Sequence, residues 1–356
     1  LRRPALAWSR RRWLVVGAVL AVVVAALVMV WVVRDDERTP LEEALALAPE
    51  SSARYGWTDW AEVRAEVGTD LSAGSTGAEV DDFLLEAYDR DLTSATALDD
   101  SAAAMQDDLG FSPATLEWEL FAQGGAGALL VLGLPEDADV DALRERLREA
   151  RFIEPDEDDG VWFADAGKLQ ELSGPVTPQL GAIEIDEDAG IVYASDDPGF
   201  LGLRADVARG DVDDPVGRAA AALGEPLAAV VYTGDHACGE LAMSGADPVD
   251  RTRGAELIED AGGVHPLTGF AMAARADGDV RVALVLDTDE QARADADSRS
   301  RLAAGPAPGQ GGTFPERFEL GRVTADGTLV TMDLTPVDGS PVISDLTSGP
   351  VLFAAC

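Results

Sequence analysis

The stretch "YTGDHACGEL" places Asp235, His236, Cys238 and Glu240 within six positions of a chain that has only two histidines and two cysteines. A thiolate can attack carbon or bind zinc, an imidazole can move a proton or ligate a metal, and a carboxylate can orient either. Catalysis or transition-metal chemistry would therefore sit here first. The other histidine, His265 in "GGVHPL", lies too far along the chain for the His-x-x-x-His spacing that sets two imidazoles on one helical turn. Asp235, His236 and His265 are the candidate site residues, and only a tertiary arrangement can bring them together.

The cysteines favour a structural role. Cys238 and Cys356 both fall in the part of the chain expected outside the cytoplasm, where two thiols most economically form one disulfide. That link would tie "VLFAAC", read as a final strand, to the loop after "LAAVVYTG", and an oxidised Cys238 is neither nucleophile nor zinc ligand. Other signatures fail on inspection. The sole lysine, Lys168, has Asp165 three residues before it, so no Ser-x-x-Lys nucleophile exists, and Ser244 in "AMSGA" lacks the upstream glycine of a nucleophile elbow. The glycines of "GGAGALL" have no phosphate-loop lysine. Acidic "EPDEDDG" and "EIDEDAG" lack the alternating ligands and distal glutamate of a calcium loop and read as turns and solvated edges. No cofactor is implied.

The elements that must carry these residues begin with an uncharged run, "WLVVGAVLAVVVAALVMVWVV", from Trp13 to Val33, long enough for the roughly 30 Å hydrocarbon core. Residues 13–33 are predicted to be a transmembrane helix with Trp13 and Trp31 anchored in the two interfaces. Five arginines precede the span and acidic residues follow it, so residues 1–12 form a cytoplasmic stub and the rest is extracytoplasmic, a single-pass signal anchor. All 66 acidic residues but only 22 of the 27 basic ones follow residue 33, a net −44 outside the membrane. Nucleic acid and anionic headgroups are disfavoured partners, because binding them requires basic side chains to neutralise phosphate. Cations, cationic peptides and neutral glycans are compatible.

Residues 34–50 read as a charged juxtamembrane spacer. After them "RYGWTDWAEVRAEVG" starts a helix at Asp59, with Trp60 and Val63 facing inward, and "AEVDDFLLEAYDRDL" continues helical. The period then changes. "TLEWELFAQGGAGALLVLGL" predicts a hairpin, "DADVDALRERLREA" a helix with an apolar stripe at Val140, Leu143 and Leu147, and "QLGAIEIDEDAGIVYASDD" a second hairpin. The same order recurs in "PLTGFAMAARADGDVRVALVLDTD", "EQARADADSRSRLAAG" and "FELGRVTADGTLVTMDLTP", with turns at Asp277-Gly278 and Asp326-Gly327. The expectation is an α+β fold with antiparallel sheets and helices packed on one face, built from a duplicated hairpin-helix-hairpin unit. Its halves are residues 51–213 and 214–356, divided at "GDVDDPVGR", and "AAGPAPGQGGTFP" at 303–315 is read as a mobile loop.

The segments "WTDWAEVRAE" and "TLEWELFAQ", with the order of basic stub, span, spacer and acidic exterior, resemble uncharacterised membrane-anchored extracytoplasmic proteins of actinobacteria. That resemblance implies location and brings no site residues with it. Three functions follow as expectations. The leading one is a non-enzymatic, membrane-tethered protein that binds an envelope ligand or a membrane-protein partner. An envelope hydrolase using paired carboxylates or the His236 region is the second, and a cation-responsive acidic sensor or stabiliser the third.

Overall fold

Alternating apolar residues in "TLEWELFAQ" and "VRVALVL" make two-faced strands, and in the computed structural model they join one antiparallel sheet of eleven. The structure describes residues 38–156, 160–202, 204–210, 213–337 and 339–356. The stub, the expected span with Trp13 and Trp31, and the start of the spacer lie outside the described residues. Among those described, no helix is long and apolar enough to cross a membrane.

The strands are β1 (Ser52–Asp59), β2 (Trp118–Gly124), β3 (Gly127–Gly133), β4 (Trp162–Phe163), β5 (Ala182–Asp186), β6 (Ile191–Ser195), β7 (Ala228–Thr233), β8 (Gly269–Ala274), β9 (Val280–Val285), β10 (Phe318–Asp326) and β11 (Leu329–Pro336). Their spatial order is β10-β11-β9-β8-β7-β1-β2-β3-β6-β5-β4. The main helices are α1 (Pro40–Leu47), α2 (Trp60–Val67), α3 (Gly77–Asp89), α4 (Val140–Glu149), α5 (Pro215–Ala221), α6 (Pro248–Ala261), α7 (Asp289–Ala303) and α8 (Val342–Ser348). Outward from the central β1–β7 pair the two arms repeat one order of connection: hairpin β2–β3, helix α4, hairpin β5–β6 on one side, and hairpin β8–β9, helix α7, hairpin β10–β11 on the other. Gly278 and Gly327 turn two of these hairpins at positive φ, where a side chain would be strained.

One face of the sheet carries the larger core. Leu143 and Leu147 of α4, Ala292 and Leu302 of α7, and Trp60 and Val63 of α2 pack with Val282, Leu284, Val330 and Met332 of the strands. Asp59 starts α2 by accepting the Glu62 N–H at 3.0 Å. The opposite face is not left to solvent as the sequence suggested. Tyr55, Trp57, Leu120, Val131, Ala229, Val231, Ala271 and Ala283 are covered by Leu41, Ala44 and Leu45 of α1 and by Val216, Ala219 and Ala220 of α5. Every residue of β8 is buried, so its sheet needs a layer on each side. Two stretches expected to link domains supply that second layer: the spacer contributes α1, and the boundary near residues 210–218 contributes the start of α5, whose first turn is capped by Asp214 on Gly217 N at 2.8 Å.

Three further expectations are corrected. Ser52–Asp59 is a strand that pairs with both β2 and β7, so the two halves share one sheet. The terminal "VLFAAC" is a buried 3-10 turn over Leu352–Ala354, with its carbonyls held by side chains instead of a neighbouring strand. Residues 303–315 fold back on themselves through Ala307 N to Gly312 O (3.1 Å) and Phe314 N to Gly305 O (3.0 Å), burying Ala307 and Phe314.

Candidate functional site

The reactive residues of "YTGDHACGEL" go to different places. β7 ends at Thr233, whose hydroxyl accepts the His236 N–H at 3.3 Å and starts a tight helical turn. Gly234 is needed there, since a Cβ would lie 2.0 Å from the Leu267 carbonyl oxygen. Cys238 forms a disulfide with Cys356, with Cα atoms 5.6 Å apart. Asp235 points to solvent. His236 is half-buried, its ring 4.9 Å from that of Tyr232. Burial lowers the His236 pKa, the Arg54 charge lowers it further, and Glu240 opposes both, so the ring is neutral at pH 7.

His265 serves elsewhere. Its Nδ1 lies 2.6 Å from Asp295 Oδ1 and its backbone N–H donates to Asp295 Oδ2 at 3.0 Å. Asp295 also accepts from Nε of the fully buried Arg299 at 2.8 Å. That guanidinium donates to the carbonyls of Phe353 (2.7 Å), Ala355 (2.9 Å) and His265 (2.6 Å). A His–Asp pair is two-thirds of a hydrolytic triad, but among the described residues no hydroxyl or thiol is bonded to the His265 ring. The cluster clamps the C-terminal turn, one step from the disulfide. His236 is not part of it, so the two histidines do not share a site. No group of three or more His, Cys, Asp or Glu side chains suited to a metal ion occurs among the described residues.

What surrounds His236 is a cleft over the seam of the two arms, about 720 Å³ in volume. The seam exists because β1 alternates unusually. Tyr55 and Trp57 point into the smaller core, leaving Arg54, Gly56 and Thr58 on the face where neighbouring strands carry Val230, Met272 and Leu130. With no apolar side chain on that face, β1 cannot join the larger core. Gly56 instead lets the loop Ser94–Ala97 descend onto the strand, where a Cβ would meet the Ala95 carbonyl oxygen at 2.2 Å. The loop is one wall of the cleft. The turn at His236–Leu241 and the end of α8 form the other.

Pairing sets three side chains in a row across the floor, because Arg54 is registered against Gln123 of β2 and against Tyr232 of β7. Gln123 Oε1 is buried with no hydrogen-bond partner. Tyr232 is 5% exposed; burial raises its pKa, with Arg54 opposing, so it is a phenol. Among the described residues neither the Tyr232 hydroxyl, the Arg54 guanidinium nor the Glu240 carboxylate has a hydrogen-bond or ion-pair partner, although Arg54 and Glu240 both act electrostatically on His236. Arg54 and Glu240 are exposed and solvated by water, and a polar ligand that displaced that water would have to pair with them.

The loop wall is braced from both arms. Beneath it Glu119 of β2 is fully buried and accepts from Ala97 N (2.7 Å), Thr96 Oγ1 (2.5 Å) and Trp60 Nε1 (3.1 Å). Burial raises its carboxyl to about 7 despite those three donors. Beside it Asp91 accepts from Ile343 N (2.6 Å) and Ser344 N (3.1 Å), and Ser94 and Ser344 hydroxyls meet at 2.8 Å, stitching the loop to the start of α8.

No family model matches this chain, and no curated protein does. Among solved structures, crystal form I of TP0453 is similar at a TM-score of 0.37 and 9% identity, over 85% of this chain and 96% of that one. Crystal form III of TP0453 gives a TM-score of 0.39 and 10% identity, over 85% and 97%. Likeness at that level establishes neither a common fold nor a common function.

Of the sequence candidates, only His236 lines the cleft. Arg54, Gln123 and Tyr232 were missed. Their signal was present as a polar face, Arg54-Gly56-Thr58, but it is split between segments distant in the chain, and the sequence reading assigned no strand before the helix that starts at Asp59.

Proposed function

We propose that this protein is a non-enzymatic, membrane-tethered extracytoplasmic binding protein, and that the seam cleft is its ligand site. Residues 13–33 would anchor it, with the N-terminus in the cytoplasm and the acidic α+β region outside. The matching order of connections in the two arms supports a duplicated hairpin-helix-hairpin unit, with the site where the copies meet. One observation carries the reading: Arg54, Tyr232 and Glu240 line one cleft, and among the described residues no protein group hydrogen-bonds or ion-pairs with their polar ends. A hydrolase is less well supported, because among the described residues no carboxylate or hydroxyl is hydrogen-bonded to the His236 ring. The bland alternative for so acidic a chain is a merely solvated surface, which does not account for an arginine registered beside a largely buried phenol on the floor of a concavity.

The test is native mass spectrometry of the full chain, exported, extracted in mild detergent and released from it in the instrument. A small-molecule adduct is expected on the wild type and on an Arg322→Gln control, and is expected to vanish with Arg54→Gln. An adduct indifferent to Arg54, or none on any form, overturns the proposal.

A further inference from the structure

The charges along the cleft are one positive and one negative, and they are kept apart. Arg54 rises from the floor, Glu240 comes from the His236–Leu241 turn, and both lie close enough to His236 to shift its titration in opposite directions. They form no ion pair with one another, and among the described residues neither is paired to any other side chain. In a protein with 66 acidic residues, Arg54 is the cation on this floor, next to the phenol of Tyr232 as a second donor. Guanidinium and phenol donors side by side suit a carboxylate. A carboxylate suits an ammonium, which only donates.

Resting on the reading of the cleft as a ligand site, we propose that its ligand is a zwitterion, a free amino acid or a short peptide, with its carboxylate on Arg54 and Tyr232 and its ammonium on Glu240. Overall charge favours this class over the alternatives. A dianionic phosphate would meet the long-range repulsion of the acidic exterior with a single arginine to offset it. A neutral sugar would leave both charges unpaired in a site it desolvates, which is unfavourable for each. A zwitterion satisfies both ends and, being neutral overall, crosses the field without net repulsion. The volume, about 720 Å³, falls within the range of small-molecule clefts and exceeds what a single amino acid fills, leaving room for a short peptide.

The experiment is isothermal titration of the full chain in detergent with five probes: L-alanine, L-alanyl-L-alanine, its C-terminal amide, its N-acetyl derivative, and the neutral disaccharide maltose. Free alanine or the dipeptide is expected to bind, and whichever binds tighter identifies the source. The amide and the N-acetyl form are each expected to bind roughly tenfold or more weakly than the dipeptide, the loss of one charge-assisted contact. Arg54→Gln should erase the preference for acid over amide, and Glu240→Gln the preference for free over acetylated amine. Because the probe series is read on the wild type, a variant that misfolds does not remove the test. Maltose binding as well as the dipeptide, or equal binding of the acetylated and free forms, overturns the zwitterion. If no probe binds while an Arg54-dependent adduct is still seen by mass spectrometry, the zwitterion falls and the cleft stands. Absence of both removes both.

Discussion

Arg299 is the side chain whose loss should be felt most sharply. Its guanidinium is wholly buried, and desolvation lowers its pKa against the opposing pull of Asp295. Four hydrogen bonds, to Asp295 and to the carbonyls of His265, Phe353 and Ala355, hold it. Arg299→Met keeps most of the aliphatic volume and leaves Asp295 with only the two contacts from His265, while three carbonyls lose a donor. Breaking one side of a buried ion pair costs about 3–5 kcal/mol, and the remaining His265 contacts place this case near 4 kcal/mol. Summing each orphaned group separately would overshoot, since one relaxed turn or one admitted water serves several of them. The assay is urea unfolding of the oxidised protein followed by tryptophan fluorescence, with Asp295→Leu and the double variant completing a cycle. The double variant should be no less stable than Arg299→Met, because it removes the stranded carboxylate. A loss below about 1 kcal/mol for Arg299→Met would refute the reasoning, by showing that water replaces the guanidinium freely and that the cluster is not a dry clamp.

The disulfide closes a loop of 118 residues, so replacing Cys238 and Cys356 with serine should cost about 5 kcal/mol by the chain-entropy model, read as a fall in the guanidinium midpoint that dithiothreitol reproduces in the wild type. Glu119 gives a pH signature. Its carboxyl is raised from the ordinary 4.5 to about 7, so the folded state holds a proton that the unfolded state releases. The stabilisation it contributes is complete below about pH 4.5, falls as pH rises and is gone above about 7, a range of about 3 kcal/mol. Glu119→Gln should flatten that part of the stability profile, measured as melting temperature from pH 4 to 8; an unchanged slope would show that Glu119 is ionised throughout.

Much of the fold was legible because it rests on local period. Val280, Val282 and Leu284 alternate with arginine and alanine, Asp-Gly pairs mark two hairpin turns, and Leu143 and Leu147 stripe α4; each pattern needs only a few neighbouring residues to state its geometry. The disulfide was legible by counting, since two cysteines have one partner each. Less legible were α1 and α5, short and rich in alanine, because what holds them is the sheet face they cover, which is distant in sequence. The C-terminal turn was misread for the same reason: "VLFAAC" has strand composition, but its carbonyls are taken by Arg299, more than fifty residues away.

The site divides along the same line. The sequence by itself determined the inventory: two histidines, two cysteines, few cations in an acidic exterior, and hairpins in a repeated order. Only the tertiary structure decided that β1 pairs with both β2 and β7, and that pairing sets Gln123, Arg54 and Tyr232 in one row and leaves a polar strand face outside the larger apolar core at the centre of the sheet, while His236 and His265 end up apart. Strand register is a contact between segments distant in the chain, and no local pattern in either segment encodes which partner it will meet.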